Sequence, residues 1–196
     1  MRPVRQTIGG LGNIMFKQAF LWMLFREQTI PDVYLQSYKF FEKYADEIKE
    51  MYGDGIGEKI DKVSLHIRRG DYVDNAFYVN LWETDYYKKA IAMFPEDTQF
   101  IVFCKDNQGW EQDKADREWC RVNLKPLLGD RFELPPKDNS ETDDLNLMAN
   151  CKAHIMANSS FSWWASYLGG GRTIAPKEWF ADGAQRVDLL PEWEVI

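Results

Sequence analysis

From residue 62 onward the chain repeats one pattern: a short run of β-branched and aromatic residues, then a longer stretch with apolar residues at helical spacing. The short runs are 62–68 (KVSLHIR), 99–104 (QFIVFC), 131–134 (RFEL), 153–157 (AHIMA) and 172–175 (RTIA). Helical stretches 84–94, 111–126, 142–151 and 161–168 lie between them. Strands that alternate with helices are joined by crossovers, and crossovers make parallel sheets. The pattern predicts an α/β fold with a five-stranded parallel sheet over 62–175. Sheets of this kind bind ligands outside the carboxyl ends of their strands, and polar residues of this chain collect there.

The chain before residue 62 is less regular. Residues 4–8 (VRQTI) read as a strand, 9–13 (GGLGN) as a glycine turn, and Met15 to Glu27 as a helix with Phe16, Ala19, Phe20, Met23 and Leu24 on one stripe. Residues 30–37 read as a further strand, and 39–52 as an amphipathic helix carrying Phe41, Tyr44, Ile48 and Met51. Gly53, Gly55 and Gly57 then break the pattern. A boundary near 53–60 divides an N-terminal lobe, 1–58, from a larger domain, 59–196.

Composition narrows the function. At 45% hydrophobic and 28% charged residues in a chain of 196, the protein buries a core of its own and is neither disordered nor fibrous. The net charge of −7 argues against a duplex nucleic-acid partner, which calls for a basic excess. Cys104, Cys120 and Cys151 are odd in number and lack metal-ligand spacing, so they read as reduced thiols in a reducing compartment. The first ten residues, MRPVRQTIGG, lack the apolar core of a signal peptide, and no run approaches a membrane span. The expectation is a cytoplasmic protein, at most peripheral at a membrane.

Three clusters suggest chemistry. The first, His66-Ile67-Arg68-Arg69-Gly70-Asp71-Tyr72, lies where the strand 62–68 ends. With period 2, His66 and Arg68 share a face. A guanidinium fork beside an imidazole suits a diphosphate; the same residues also suit a surface strand end with an Arg–Asp pair. In the second, Asn158-Ser159-Ser160-Phe161 leads from a strand into a helix, preceded by Asp143 and Asp144. Free N–H groups at such a start hold anions, but Ser, Asn and Asp are favoured there as helix caps whatever the function, and capping alone accounts better for the cluster. The third, Gly9-Gly10-Leu11-Gly12-Asn13, is a glycine turn of neither dinucleotide-binding nor P-loop form. His154, Trp163 and Trp164 read as structural.

Together, GGLGNIMFKQAF (9–20), HIRRGDY (66–72) and TDDLNLMANCKAHIMANSSFSWWASYL (142–168) resemble the signature blocks of the α-1,2-fucosyltransferases of glycosyltransferase family 11. The resemblance implies a GT-B-like fold: a parallel-sheet, Rossmann-type donor domain at 59–196 and a reduced acceptor-side lobe at 1–58. It implies inverting transfer from GDP-fucose to a galactoside hydroxyl, with a nucleotide sugar and a glycan as partners and neither cofactor nor obligatory metal. Carried over by position, Arg68 holds the β-phosphate and His66 lies near the guanosine or diphosphate, with Arg69 beside them. Asp144, with Asp143, faces the guanine edge. Asn158, Ser159, Ser160 and Phe161 cap the diphosphate, and Asn13, with Gly10 and Gly12, faces the fucose or acceptor. Asp71 is a candidate catalytic base, or else the partner of an arginine.

Two departures stand out. Ile14 and Lys17-Gln18 replace the Gln and Gln-Tyr of the usual GGLGNQMFQYA, and only 52 residues separate Asn13 from His66. The short N-terminal lobe keeps two alternatives in view: a GDP-sugar-binding protein with reduced transferase activity, and a transferase for another donor sugar.

Overall fold

A computed structural model describes residues 10–27, 36–104 and 111–196, with the side chains of 24–27, Asp71 and 111–114 excluded. Six parallel strands form one sheet: β1 (Ile60–Ile67), β2 (Phe100–Cys104), β3 (Phe132–Glu133), β4 (Cys151–Ile155), β5 (Arg172–Ala175) and β6 (Glu194–Val195). The five expected strands are present. The sixth, two residues long, was not expected. Among the described residues six α-helices accompany them: α1 (Leu11–Glu27), α2 (Ala45–Tyr52), α3 (Tyr86–Ala92), α4 (Glu111–Leu128), α5 (Glu141–Ala149) and α6 (Ser160–Gly169). None of the described helices is long and apolar enough to cross a membrane.

The strand order is β3-β2-β1-β4-β5-β6. The chain winds outward from β1 through β2 to β3, then returns to lay β4 on the other side of β1. This is the order of a Rossmann-type sheet, and its direction switches between β1 and β4, opening a crevice at their carboxyl ends. The α/β class and GT-B-like parallel sheet are therefore as expected.

The sheet is apolar on both faces, as a doubly covered parallel sheet must be. Leu65, Ile67, Val102 and Ile155 pack with Tyr87, Ala90, Cys120 and Leu124 of α3 and α4. Their neighbours of opposite parity, Ile101, Phe103 and Met156, pack with α1, α2, α5 and α6. Ser64 and His154 share that second face and satisfy one another: Ser64 Oγ lies 2.8 Å from His154 Nδ1, and His154 Nε2 is 2.9 Å from the Gly170 carbonyl. His154 is thus structural. Burial lowers its pKa to about 4, keeping it neutral.

The N-terminal residues join this second layer. Phe16 lies 4.8 Å from the Trp163 ring and 5.0 Å from that of Trp164, and Phe41 stacks on Trp164 at 5.5 Å. Both tryptophans are fully buried. Residues on either side of the exposed turn at Gly53–Lys59 thus share one hydrophobic cluster.

Three local expectations change. α1 begins at Leu11, so Gly12 and Asn13 belong to its first turn rather than to a glycine turn. The expected helix over 39–52 divides into 3-10 turns at Tyr38–Phe40 and Glu42–Tyr44, followed by α2. Phe41 sits at the break, 1% exposed, because its ring fills the space between Phe16 and Trp164. The strand expected over 30–37 lies outside the described residues up to 35; Gln36 and Ser37 are not in a strand. The strand at 4–8 lies outside them entirely, as does Gly9.

Candidate functional site

The loops leaving β1 and β4 flank the switch-point crevice. β1 ends at Ile67, and residues 68–72 turn away through a 3-10 turn at Gly70–Tyr72. Gly70 has φ of +50°, a left-handed conformation that suits a residue without Cβ. β4 ends at Ile155, and Met156–Ser159 lead into α6. His66 and Ser160 therefore stand at the same edge of the sheet, as expected.

His66 points to the α6 side of β1, its ring 5.9 Å from that of Phe161 in the first turn of α6. It is 6% exposed, and its Nδ1 has no hydrogen-bond partner among the described residues. Burial, reinforced by the positive charge of Arg68, lowers its pKa to about 3. The ring is therefore neutral near pH 7. The buried Tyr87 hydroxyl donates to the His66 carbonyl at 2.9 Å and pins the end of β1.

Arg68 is half-buried, its guanidinium 4.8 Å from the centre of the Tyr72 ring. Tyr72 stacks on Tyr78 at 3.9 Å, and its hydroxyl donates to the Asn158 carbonyl at 3.2 Å. One side chain thus backs Arg68 and ties the β1 loop to the β4 loop.

Ser159 is the N-cap of α6, extended, with Oγ accepting the Phe161 N–H at 3.3 Å. Its hydroxyl therefore serves the helix, while Ser160 and Phe161 occupy the first turn. The start of α1 abuts this turn. A Cβ built on Gly12 would lie 2.6 Å from the Ser160 carbonyl carbon and 2.7 Å from both the carbonyl and hydroxyl oxygens. Glycine at 12 lets two helix starts meet, and each start carries a partial positive charge. Asn13, one residue on, accepts a 2.6 Å hydrogen bond at Oδ1 from Gln36 Nε2. Gly10 is exposed just before α1.

At this end of the sheet the structure brings His66 to Phe161 and Gly12 to Ser160, with Arg68 on the loop after β1 and Asn13 in the first turn of α1, and it directs several other candidates elsewhere. Arg69 turns to α4, its Nε 3.2 Å from Asp116 Oδ1 and its guanidinium 3.9 Å from the Trp119 ring. The Asn158 amide donates to the Val79 and Trp179 carbonyls at 2.9 and 3.0 Å, fixing two loops rather than facing a ligand. Asp143 is exposed and closes a capping box with Ser140, whose hydroxyl bond holds its pKa below the ordinary value. Asp144, half-buried beside it, accepts from Asn139 at 2.8 Å. The Asp71 side chain lies outside the described residues.

Sequence reasoning gave no role to Tyr78, Gln36, Asp116 or Asp188. Asp188 binds the chain around Gln36: it accepts from Ser37 Oγ at 2.5 Å and Lys39 Nζ at 3.0 Å, its N–H donates to the Gln36 carbonyl, and its own carbonyl accepts from Trp163. Burial pushes the Asp188 carboxyl up, but these bonds outweigh it and the pKa is lowered. Asp116 did carry a signal: it heads a stripe at four-residue spacing, Asp116-Cys120-Leu124-Leu128, no member more than 1% exposed. A carboxylate on a buried stripe demands a partner.

Fold and site define a Rossmann-type α/β protein with its topological switch between β1 and β4. The chain belongs to glycosyl transferase family 11, whose pattern matches residues 10–196. It is 36% identical over 127 residues to an alpha-1,2-colitosyltransferase of Escherichia coli, covering 61% of this chain and 41% of that protein. It is 32% identical over 158 residues to the O-antigen biosynthesis glycosyltransferase WbnK of Escherichia coli, covering 73% and 47%. Against galactoside alpha-(1,2)-fucosyltransferase 2 of Rattus norvegicus the identity is 34% over 118 residues, covering 57% and 31%. The chain thus spans less than half the length of these relatives. No solved structure matches it.

Proposed function

We propose that this chain carries the donor site of an inverting fucosyltransferase, which moves fucose from GDP-fucose to a galactoside hydroxyl in α-1,2 linkage. The observation that carries the reading is the meeting of Gly12 with Ser160 beside His66 and Arg68 at the switch point. Three sources of positive potential, two helix starts and a guanidinium, then surround one volume. That combination suits a diphosphate.

The chemistry follows from charge. Inversion needs the acceptor hydroxyl on the face opposite the leaving GDP, and the diphosphate gains negative charge as the glycosidic bond lengthens. Groups already aimed at that charge lower the barrier. In this reading Arg68 grips the β-phosphate, and the first turn of α6, at Ser160 and Phe161, receives phosphate oxygens. Neutral His66 lies beside the nucleotide. Gly10, Gly12 and Asn13 border the fucose, with Gln36 leaving the Asn13 amide free to donate through Nδ2. No metal is required, because the cationic groups supply the charge. Asp71 serves either as base or as an arginine partner.

A second reading, GDP-sugar binding with reduced transfer, draws on one observation: only 52 residues separate Asn13 from His66. Radiolabelled GDP-fucose incubated with a panel of galactosides separates the two. Label on a galactoside supports transfer; free fucose alone, or bound donor without turnover, supports the second; neither binding nor turnover rejects both.

A further inference from the structure

Arg68 can act on a diphosphate only if the loop that carries it is held. The loop between β1 and its 3-10 turn contains two adjacent arginines and a left-handed Gly70, and its restraint comes from α4, across the opposite face of the sheet. Asp116, 1% exposed, receives Arg69 Nε at Oδ1 (3.2 Å) and the Gly70 N–H at Oδ2 (2.9 Å). One carboxylate thus fixes both a side chain and the backbone at the turn. Trp119, three residues on, lies flat enough to the Arg69 guanidinium for a cation–π contact at 3.9 Å, and is itself braced by Trp82 at 4.4 Å. Arg69 is thereby drawn to the α4 side of β1, while Arg68 lies against the Tyr72 ring, whose hydroxyl holds the Asn158 carbonyl of the β4 loop.

We propose that Asp116, with Trp119, is a positioning residue: by clamping Arg69 and the Gly70 N–H it aims Arg68 at the donor diphosphate. The proposal rests on the donor-site reading above. Charge alone would leave Arg68 in the right neighbourhood; the clamp supplies the direction, and misplacement of a charge-stabilising group by about 1 Å can cost about 100-fold in rate.

The test is a double-mutant cycle of Asp116→Asn with Arg68→Lys, read in two ways: the ratio of GMP to GDP dissociation constants by calorimetry, and kcat/KM for GDP-fucose turnover. Asp116→Asn keeps the volume but removes the charge. The expected result is a fall of about 100-fold in kcat/KM and a loss of preference for GDP over GMP. In the Arg68→Lys background the same change should cost less than about threefold, because the group being aimed is already gone. A merely structural role would give independent, multiplicative losses, and that outcome, or an unaffected Asp116→Asn protein, overturns the proposal. If Asp116→Asn alone fails to fold by circular dichroism, the neutral pair Arg69→Gln with Asp116→Asn takes its place, and full activity of that pair overturns it equally. A wild-type chain without preference for GDP over GMP would reject the donor site itself, a result distinct from any of these.

Discussion

Replacing Gly12 with alanine tests whether the two helix starts must touch. The new Cβ would sit 2.6 Å from a backbone carbon of Ser160, where ordinary contact begins near 3.4 Å, so α1 and α6 must part by about 0.8 Å. The obstacle is backbone, so rotation of a side chain cannot relieve it. Overpacking of this kind costs about 1–3 kcal/mol. Alanine in place of glycine returns about 0.5–1 kcal/mol in helix propensity, less at a helix end. A net loss of about 1–2 kcal/mol follows, which lowers Tm by about 2–8 °C for a domain of this size. The same displacement misaligns the crevice, and GDP-fucose turnover should fall by about 100-fold. Differential scanning calorimetry and a turnover assay measure the two effects, with Gly57→Ala as control, since a Cβ there meets nothing within 4 Å. A Gly12→Ala protein with the Tm and turnover of the Gly57→Ala control would refute the reasoning.

Arg68→Lys keeps the charge but loses the planar fork, and should remove about 2–4 kcal/mol of transition-state stabilisation. GDP affinity should fall less than kcat; near-normal turnover of the folded variant removes Arg68 from the reaction. Asn158→Ala takes the donor from the Val79 carbonyl and one of two donors from the Trp179 carbonyl, which keeps the Val79 N–H; a loss of about 1–3 kcal/mol in urea unfolding is expected, and an unchanged midpoint would show that those loops hold themselves. His66 and His154 have folded pKa values of about 3 and about 4, below the ordinary 6.5. The unfolded chain then binds more protons, so the stability they contribute is complete above pH 6.5 and lost as pH falls toward those values. About 2 kcal/mol should disappear for each between pH 7 and pH 5, and equal urea midpoints at the two pH values would contradict this.

The sheet was legible because a doubly covered strand must be apolar on both faces, and runs such as FIVFC have no other home. β6 was not, since Glu194–Val195 is too short to carry a pattern. The site was legible where position in the fold dictates chemistry: a strand that turns polar at His66 and Arg68, and Ser residues that open a helix after β4. It was not legible where partners come from distant sequence. Arg69 and Arg68 look alike until α4 claims one of them through Asp116, and Asn158 looks like a ligand group until two loop carbonyls occupy its amide. Gly12 signalled a turn by composition. Its use is a contact with Ser160, far along the chain, and nothing local announces that.

The central claim is that the crevice between β1 and β4 holds the diphosphate of a guanine nucleotide through protein cations and helix starts. Isothermal titration of the chain with GDP, in excess chelator and then with added magnesium or manganese, addresses it most directly. Saturable 1:1 binding, stronger than for GMP and unchanged by the metal, is the predicted result. Absence of binding in chelator that either metal restores would contradict the claim, because the charge on the diphosphate would then be met by an ion rather than by Arg68 and the starts of α1 and α6.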